Sequence, residues 1–292
     1  MGNKKGYETI LYEKKGKIVT LTLNRPDKLN AISVQMRREI VDAIKKVNND
    51  DDVLVAIIKG AGKAFSAGHD LTEVYFRYGA GVGKPDERRP SQRVRLHGDD
   101  ELMGEYLKTV MYCWKVTIAQ IHGQCIAGAT YLQTVCDISI AAEDAQFAFT
   151  EQRLAFGGTT PVLIPQMMAT GWKRARYLLL TGCTFSGKEA EQMGFISLAV
   201  PADQLEQEVR KTAQAICLHG RDAIAIGKAH THMVYDRLGF GDCFKQGVIM
   251  HTLATNVRWE EDEYNFVRER REKGAKEAFH ELHDRFRRLG IK

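Results

Sequence analysis

Two runs of small residues could do chemistry with their main chain alone. The first is Lys63-Ala64-Phe65-Ser66-Ala67-Gly68-His69-Asp70 and the second is Ile121-His122-Gly123-Gln124-Cys125-Ile126-Ala127-Gly128-Ala129. Each follows a hydrophobic, strand-like segment, and the second leads into a helical pattern. Small residues let a ligand or another backbone approach closely. A loop entering a helix leaves N–H groups free, where the helix dipole favours negative charge. Two such loops turned toward one point would form an oxyanion hole, a set of donors for the charge that develops on a carbonyl oxygen. Taken singly, either run is equally a tight strand-to-helix turn. Metal chemistry has less support. The cysteines Cys113, Cys125, Cys136, Cys183, Cys217 and Cys243 are scattered, with no C-x-x-C pair. His230 and His232 stand two apart on a helical pattern and so point in different directions. No metal site is expected, and both histidines are assigned to a solvated helix face.

The elements that would carry these loops alternate. Thr9–Glu13 and Lys17–Leu23 read as strands, the second alternating Val19, Leu21 and Leu23 with Thr20 and Thr22. After a turn at Arg25-Pro26-Asp27-Lys28, Ser33 caps an amphipathic helix to about Val47, with Met36, Ile40 and Ile44 on one face. Val53–Lys59 is apolar throughout, as in a strand buried on both faces. The cycle repeats with a helix near Leu102–Cys113 and strands over Val116–His122 and Asp137–Ala141. Past Thr160 strand signals fade except at Phe195–Val200, and from Asp203 the pattern is helical. Alternation of this kind predicts α/β layers. Residues Gly79–Asp99, rich in Gly, Pro and Arg, read as a long surface loop.

Composition narrows the class. At 292 residues, 44% hydrophobic and 27% charged, the chain has the make-up of a globular protein, not a disordered one. The formal charge of +5 suits an anionic ligand, and equally a slightly basic soluble protein. No stretch approaches the ~18 apolar residues of a membrane helix, so no membrane partner is expected. Met1–Gly16 is charged and lacks an apolar signal core, so secretion is not expected. Scattered cysteines in apolar runs fit free thiols in a reducing, cytoplasmic compartment.

Six blocks, in order, resemble the crotonase (enoyl-CoA hydratase/isomerase) superfamily. They are Arg25-Pro26-Asp27-Lys28-Leu29-Asn30-Ala31, Ser66-Ala67-Gly68-His69-Asp70, and Gly123-x-x-x-Ala127-Gly128. Then come Cys136-Asp137-Ile138, Ala145-Gln146-Phe147 followed by Glu151, and Leu180-Thr181-Gly182 leading to Ala190-x-x-x-Gly194. The resemblance covers roughly Tyr7 to Leu205. It implies an α/β crotonase fold, a repeated ββα spiral core over residues 1–200 that holds the acyl-CoA site. It also implies a helical C-terminal trimerisation region over residues 201–292, and a homotrimer or homohexamer. The implied oxyanion donors are the backbone N–H groups of His69 and Gly128. The implied CoA-binding residues are Lys28, Leu29, Ala64, Ser66, Ala67 and Gly68, with Lys28 serving the phosphates. Coenzyme A enters as part of the substrate, so no separate cofactor is implied.

Hydratases of this family use two glutamates. Counted from Cys136-Asp137, the second falls on Glu151. Phe147, Phe149, Leu154 and Phe156 around it favour desolvation and a raised pKa, which suits a general acid–base near neutrality. The first falls on Tyr131, a phenol, which is a poor base but able to donate a hydrogen bond or hold a water. The usual glycine triplet reads Ala127-Gly128-Ala129, and Leu154-Ala155 replaces Leu-Gly. These departures put simple crotonyl-type hydration in doubt. The first expectation is therefore an enzyme of enoyl-CoA hydratase/isomerase type, a lyase first of all, acting on a bulky or unsaturated acyl-CoA with Glu151 as the acid–base. The alternative is a hydratase-lyase, or a C–C bond or thioester hydrolase, on an aromatic or cyclic acyl-CoA. Hydroxycinnamoyl-CoA hydratase-lyases manage with one acidic residue here, and Asp70-Leu71-Thr72-Glu73-Val74-Tyr75-Phe76 resembles their Asp-Leu-Lys-Glu-Tyr-Phe. Tyr75 is the pocket residue this suggests. His69 replaces a common alanine, and its side chain could add a polar group near the thioester. A third reading, a non-catalytic CoA- or nucleic-acid-binding homologue, draws on Arg268, Arg270, Arg271, Lys273, Arg285, Arg287 and Arg288. The interspersed Glu260–Glu263, Glu269, Glu272, Glu277 and Glu281 offset that charge, so no nucleic-acid partner is expected.

Overall fold

A computed structural model describes residues 6–73, 91–99, 103–154, 159–254 and 259–292. Its strands are β1 (Ile10–Lys15), β2 (Ile18–Leu23), β3 (Val55–Gly60), β4 (Val116–Ile121), β5 (Gln124–Ile126), β6 (Ile138–Ala142), β7 (Gln146–Ala148), β8 (Thr184–Ser186) and β9 (Leu198–Val200). Six of them form one sheet in the order β1-β2-β3-β4-β6-β9. The β1–β2 hairpin is antiparallel, and every later pairing in that sheet is parallel. The physical reason lies in the residues. In β2, Val19, Leu21 and Leu23 are buried while the threonines between them are half-buried, whereas β3 is buried along nearly its whole length. Ser33 begins helix Val34–Asn48 by accepting the Met36 N–H at 3.1 Å, and Met36, Ile40 and Ile44 go into the core.

A second sheet, β5-β7-β8, was not foreseen. Its strands have three residues each, too short to display a period, and they form by pairing with one another, β5 with β7 and β7 with β8. Strand β8 corrects the expectation that strands nearly cease after Thr160. The predicted loop over Gly79–Asp99 is corrected in part: Gln92–Asp99 is a helix, with the Ser91 hydroxyl accepting the Val94 N–H at 3.4 Å. The Gly and Pro of that stretch lie ahead of Ser91, except for Gly98, so its average composition hid the helix start. Residues 79–90 lie outside the described residues, as does Tyr75.

The C-terminal part is helical, as expected, through Leu205–Ile216, Arg221–Arg237, Phe240–Ala254, Phe266–Lys273 and Ala275–Arg287. His230 is exposed, but His232 is buried against Tyr112 and Trp114, with ring centroids at 5.2 and 5.1 Å. The solvated-face assignment therefore fails for His232, because helix Arg221–Arg237 turns that side toward the core. On the same side Lys228 Nζ reaches Asp137 at 2.5 Å. Asp137 also accepts the Thr117 N–H and hydroxyl at 2.8 and 3.0 Å, so the aspartate of the Cys136-Asp137 block pins this helix to the sheet. The last two helices pack on each other and enclose Leu154, Phe266, Val267, Ala278 and Leu282 in a second apolar cluster, with Leu71 against it. Arg153 ties them down. Its Nε donates to Thr181 O at 2.8 Å, one guanidinium nitrogen meets His283 Nδ1 at 3.0 Å, and the other donates to Lys292 O at 3.1 Å. The charges of the final stretch pair among themselves, as in Lys273 with Glu269 and Glu281, both at 2.8 Å.

Candidate active site

The first loop is held from behind by Asn30. This residue and Leu29 lie consecutively at positive φ, 54° and 48°. That curls the Lys28–Asn30 turn so that the Asn30 amide donates to Ala61 O and Ala64 O, both at 2.8 Å. The Ser66 hydroxyl donates to Asn30 O at 2.7 Å and accepts the Gly68 N–H at 3.1 Å, and Ala67 N–H donates to Leu29 O at 2.9 Å. Lys28 and Leu29 thus sit on the surface directly beside the Ala64–Gly68 loop. Ala64 and Ser66 are fully buried, and the Ser66 polar atoms are taken up by the loop itself.

Ile32 bonds to both neighbours of His69: its N–H donates to Gly68 O at 2.7 Å, and its carbonyl accepts the Asp70 N–H at 3.1 Å. In a parallel bridge of this kind the residue between the two bonded neighbours turns its own N–H to the opposite side. The His69 N–H therefore faces away from Ile32 and has no main-chain partner among the described residues. Gly128 is the first residue of helix Gly128–Thr134, so its N–H is likewise unpaired within the helix.

The two loops are laced together. Ser66 N–H donates to Gln124 O at 2.9 Å, and Ile126 N–H donates to Ser66 O at 3.1 Å. Gly68, at φ +91°, approaches so closely that an added Cβ would stand 2.5 Å from Ile126 O and 3.2 Å from Gly128 N. Only glycine fits. Ala127, at φ 48° and ψ −119°, turns the chain sharply from β5 into the helix. This conformation is strained for a residue with a side chain. Its N–H is fixed to Ala148 O at 2.9 Å.

Glu151 follows β7 at the start of a turn. Phe147 and Phe149 just before it are buried in a ring cluster with Phe185 and Phe195, centroids 5.5–5.9 Å apart. Tyr131, on the helix opened by Gly128, donates its hydroxyl to Glu151 Oε1. Glu151 Oε2 is shut off from solvent and has no partner among the described residues. Burial pushes the Glu151 carboxyl up to about 7, and the Tyr131 hydrogen bond holds it from rising further. Burial and the adjacent carboxylate push the Tyr131 phenol well above its usual range, so it stays a neutral donor.

Both residues line a cavity of about 120 Å³ with Ala67, His69, Ile126 and Ala127 on the side of the loops. The opposite walls are Leu71, Met103, Leu154 and Phe279, with His251 and His283. Glu151 is the one carboxylate among these lining residues. The expected residues Ala67, His69, Tyr131 and Glu151 meet in this cavity, and Gly128 adjoins it under the His69 ring. Lys28, Leu29, Ala64, Ser66 and Gly68 form the strap beside it. Sequence reasoning missed the C-terminal wall, Phe279 and His283, which no local pattern marks. It also missed Arg37, which meets His69 Nδ1 at 2.7 Å. A signal existed there: Arg37 stands three residues before Ile40, on the apolar stripe of its helix.

Such an arrangement can receive a carbonyl oxygen on main-chain N–H groups and hold a carboxyl group for proton transfer in a largely apolar pocket. The family model described as enoyl-CoA hydratase/isomerase matches residues 13–272. A probable enoyl-CoA hydratase of Mycobacterium bovis is 32% identical over 237 residues, covering 79% of this chain and 83% of its own. A hydroxycinnamoyl-CoA hydratase-lyase of Pseudomonas fluorescens is 31% identical over 203 residues, covering 69% and 70%. The crystal structure of an enoyl-CoA hydratase/isomerase from Xanthobacter autotrophicus Py2 superposes with a TM-score of 0.79 at 29% identity, over 96% of this chain and 98% of that one. The chain belongs to the enoyl-CoA hydratase/isomerase family, has the crotonase fold, and is an acyl-CoA-processing enzyme. No helix among the described residues is long and apolar enough to cross a membrane.

Proposed function

We propose that Glu151 is the only general acid–base of an enoyl-CoA hydratase/isomerase reaction, with Tyr131 holding it in place. The observation that carries this reading is the Tyr131 hydroxyl bound to Glu151 in a cavity where no second carboxylate lines the wall among the described residues. The thioester oxygen is received by the N–H groups of His69 and Gly128, which makes the carbon next to the carbonyl acidic and the β-carbon electrophilic. Glu151, with a pKa near the working pH, either takes a proton from one carbon and returns it at the other end of the three-carbon unit, or takes one from a water and delivers it to the α-carbon. Taking it from carbon shifts the double bond. Taking it from water adds hydroxide to the β-carbon and the proton to the α-carbon. Tyr131 remains protonated throughout and keeps one carboxylate oxygen occupied, so Oε2 faces the reacting atoms.

The CoA portion is assigned to the strap of Lys28, Leu29, Ala64, Ser66, Ala67 and Gly68, with Lys28 exposed for the phosphates and Ser66 shaping the loop. Residues 1–200 then form the catalytic core and 201–292 the helical region. A homotrimer or homohexamer is supported by apolar side chains left exposed on the helices, including Met168, Trp172, Leu180, Ile249 and Leu253. A cytoplasmic location is supported by six free cysteines. A second reading, hydratase-lyase action on an aromatic acyl-CoA, is favoured by the hydroxycinnamoyl-CoA hydratase-lyase relative and by Phe279 in the cavity wall.

The test is mass spectrometry after incubation with crotonyl-CoA, a 3-enoyl-CoA and feruloyl-CoA in D₂O. A gain of one D₂O, or an isomer of the substrate carrying deuterium, supports the one-base reading. A shorter acyl-CoA supports the second. Turnover that survives Glu151→Gln undiminished removes Glu151 from the mechanism.

A further inference from the structure

Arg37 and His69 form a buried pair at the thioester end of the cavity. Arg37 is 4% exposed, and its guanidinium nitrogen lies 2.7 Å from His69 Nδ1. A guanidinium is always charged and can only donate. His69 Nδ1 must therefore accept, which places the imidazole proton on Nε2 and keeps the ring neutral. Burial and the neighbouring Arg37 charge act in the same direction, lowering the His69 pKa well below its usual value.

The consequence is a directed N–H. His69 Nε2 is out of contact with solvent and has no partner among the described residues, although His69 lines the cavity. A buried donor without an acceptor is destabilising, and such donors are rare in native structures unless a ligand or a bound water completes them. The ring lies against Gly128: a Cβ added there would stand 2.5 Å from both Nε2 and Cδ2. The Nε2–H is thus beside the main-chain donor that opens the helix, while the Tyr131 ring, which carries the hydroxyl bound to Glu151, lies 5.9 Å from the imidazole.

We infer that the His69 side chain is a third hydrogen-bond donor to the acyl-CoA thioester carbonyl, alongside the two main-chain N–H groups, and that Arg37 is the positioning residue that fixes its tautomer. This rests on the acyl-CoA reading of the site. The ligand it recognises is an oxygen acceptor at the thioester end of the acyl group. Arg37 touches no reacting atom. It acts by making Nδ1 an acceptor, so that Nε2 alone can donate.

Two near-isosteric variants separate the roles. His69→Asn keeps an acceptor where Nδ1 meets Arg37 but has no atom at the Nε2 position. His69→Gln can place an amide N–H there. The binding probe is butyryl-CoA against its carbonyl-free thioether, S-butyl-CoA, measured by calorimetry. Wild type should prefer the thioester. That preference should fall about tenfold in His69→Asn, the worth of one hydrogen bond, and stay within about twofold of wild type in His69→Gln. With crotonyl-CoA or a 3-enoyl-CoA, whichever turns over, kcat should fall roughly 100-fold in His69→Asn and less in His69→Gln. In ¹⁵N spectra, wild-type His69 should show a protonated Nε2 and a bare Nδ1, and Arg37→Met should show a mixture of tautomers.

An unchanged thioester preference in His69→Asn overturns the proposal, as does a protonated Nδ1 in wild type. If wild type binds neither CoA compound, the acyl-CoA reading falls and the proposal with it. That result differs from equal preferences in wild type and variant, which overturn the His69 role alone.

Discussion

Replacing Tyr131 with phenylalanine removes one oxygen from the cavity wall, and its effect should be read in the pH profile of the rate. Tyr131 donates to Glu151 Oε1 and is the main group opposing the upward push of burial on that carboxyl, which stands at about 7. A hydrogen bond to a charged group contributes roughly 1.5–3 kcal/mol, and one pKa unit corresponds to about 1.4 kcal/mol. Losing the donor should therefore raise the Glu151 pKa by about one to two units. Glu151 must be ionised to act as a base, so kcat/KM rises with pH through that pKa. In wild type the acid limb should have its midpoint near pH 7, and in Tyr131→Phe between about pH 8 and 9. At pH 7 the ionised fraction falls from about half to between roughly one in ten and one in a hundred, while at pH 9.5 much of the rate returns. The phenol cannot mimic this limb, because its own pKa lies well above the usual range. The assay is initial rate against pH from 5.5 to 9.5, following the absorbance of the conjugated thioester. A uniform loss with an unmoved midpoint would refute the reasoning, since Tyr131 would then act on the reacting atoms or on packing and not through Glu151.

Glu151→Gln should abolish turnover and yet stabilise the fold at alkaline pH. The native carboxyl holds its proton more tightly than the unfolded one, so wild type loses stability as pH rises from about 4.5 to about 7. Glutamine, which still accepts from Tyr131, escapes that loss. The urea-unfolding difference should be near zero below pH 4.5 and approach about 3 kcal/mol in favour of the variant at pH 8; a flat difference would contradict it. Ala127→Gly should relieve the positive-φ strain and raise stability by about 1 kcal/mol net of the added chain entropy, seen as a higher Tm. Gly68→Ala should cost more than about 2 kcal/mol and most of the activity, because its Cβ would collide with Ile126 O; a wild-type melting curve would show that the loops can part freely. Arg153→Met should loosen helix Ala275–Arg287, which loses its ties through His283 and Lys292. Early cleavage of that segment in limited proteolysis is the expected sign.

Much of the fold was legible in local patterns. The alternation of β2, the continuous apolar run of β3 and the Ser33 cap each encode an element within a few residues, because backbone geometry and side-chain period act over that range. The strands of the second sheet were not legible, since three residues cannot show a period and their pairing depends on what lies beside them. The same limit explains His232. Its neighbours in sequence suggest a solvated face, but Tyr112 and Trp114 arrive from more than a hundred residues away.

The candidate site divides along the same line. The small-residue loops, Glu151 and Tyr131 could be named from the chain alone, because glycine at a close approach and a carboxylate between phenylalanines constrain residue type at the position itself. Sequence could not state that Tyr131 donates to Glu151, that Arg37 locks the His69 tautomer, or that Phe279 and His283 close the cavity. Each of those is a contact between residues 20 to more than 100 positions apart, and only the packed chain brings such partners within hydrogen-bonding distance. Residue type at single positions was settled by the sequence; partner, protonation state and pocket shape were settled by tertiary packing, because burial and distance set the electrostatics and neither exists in an extended chain.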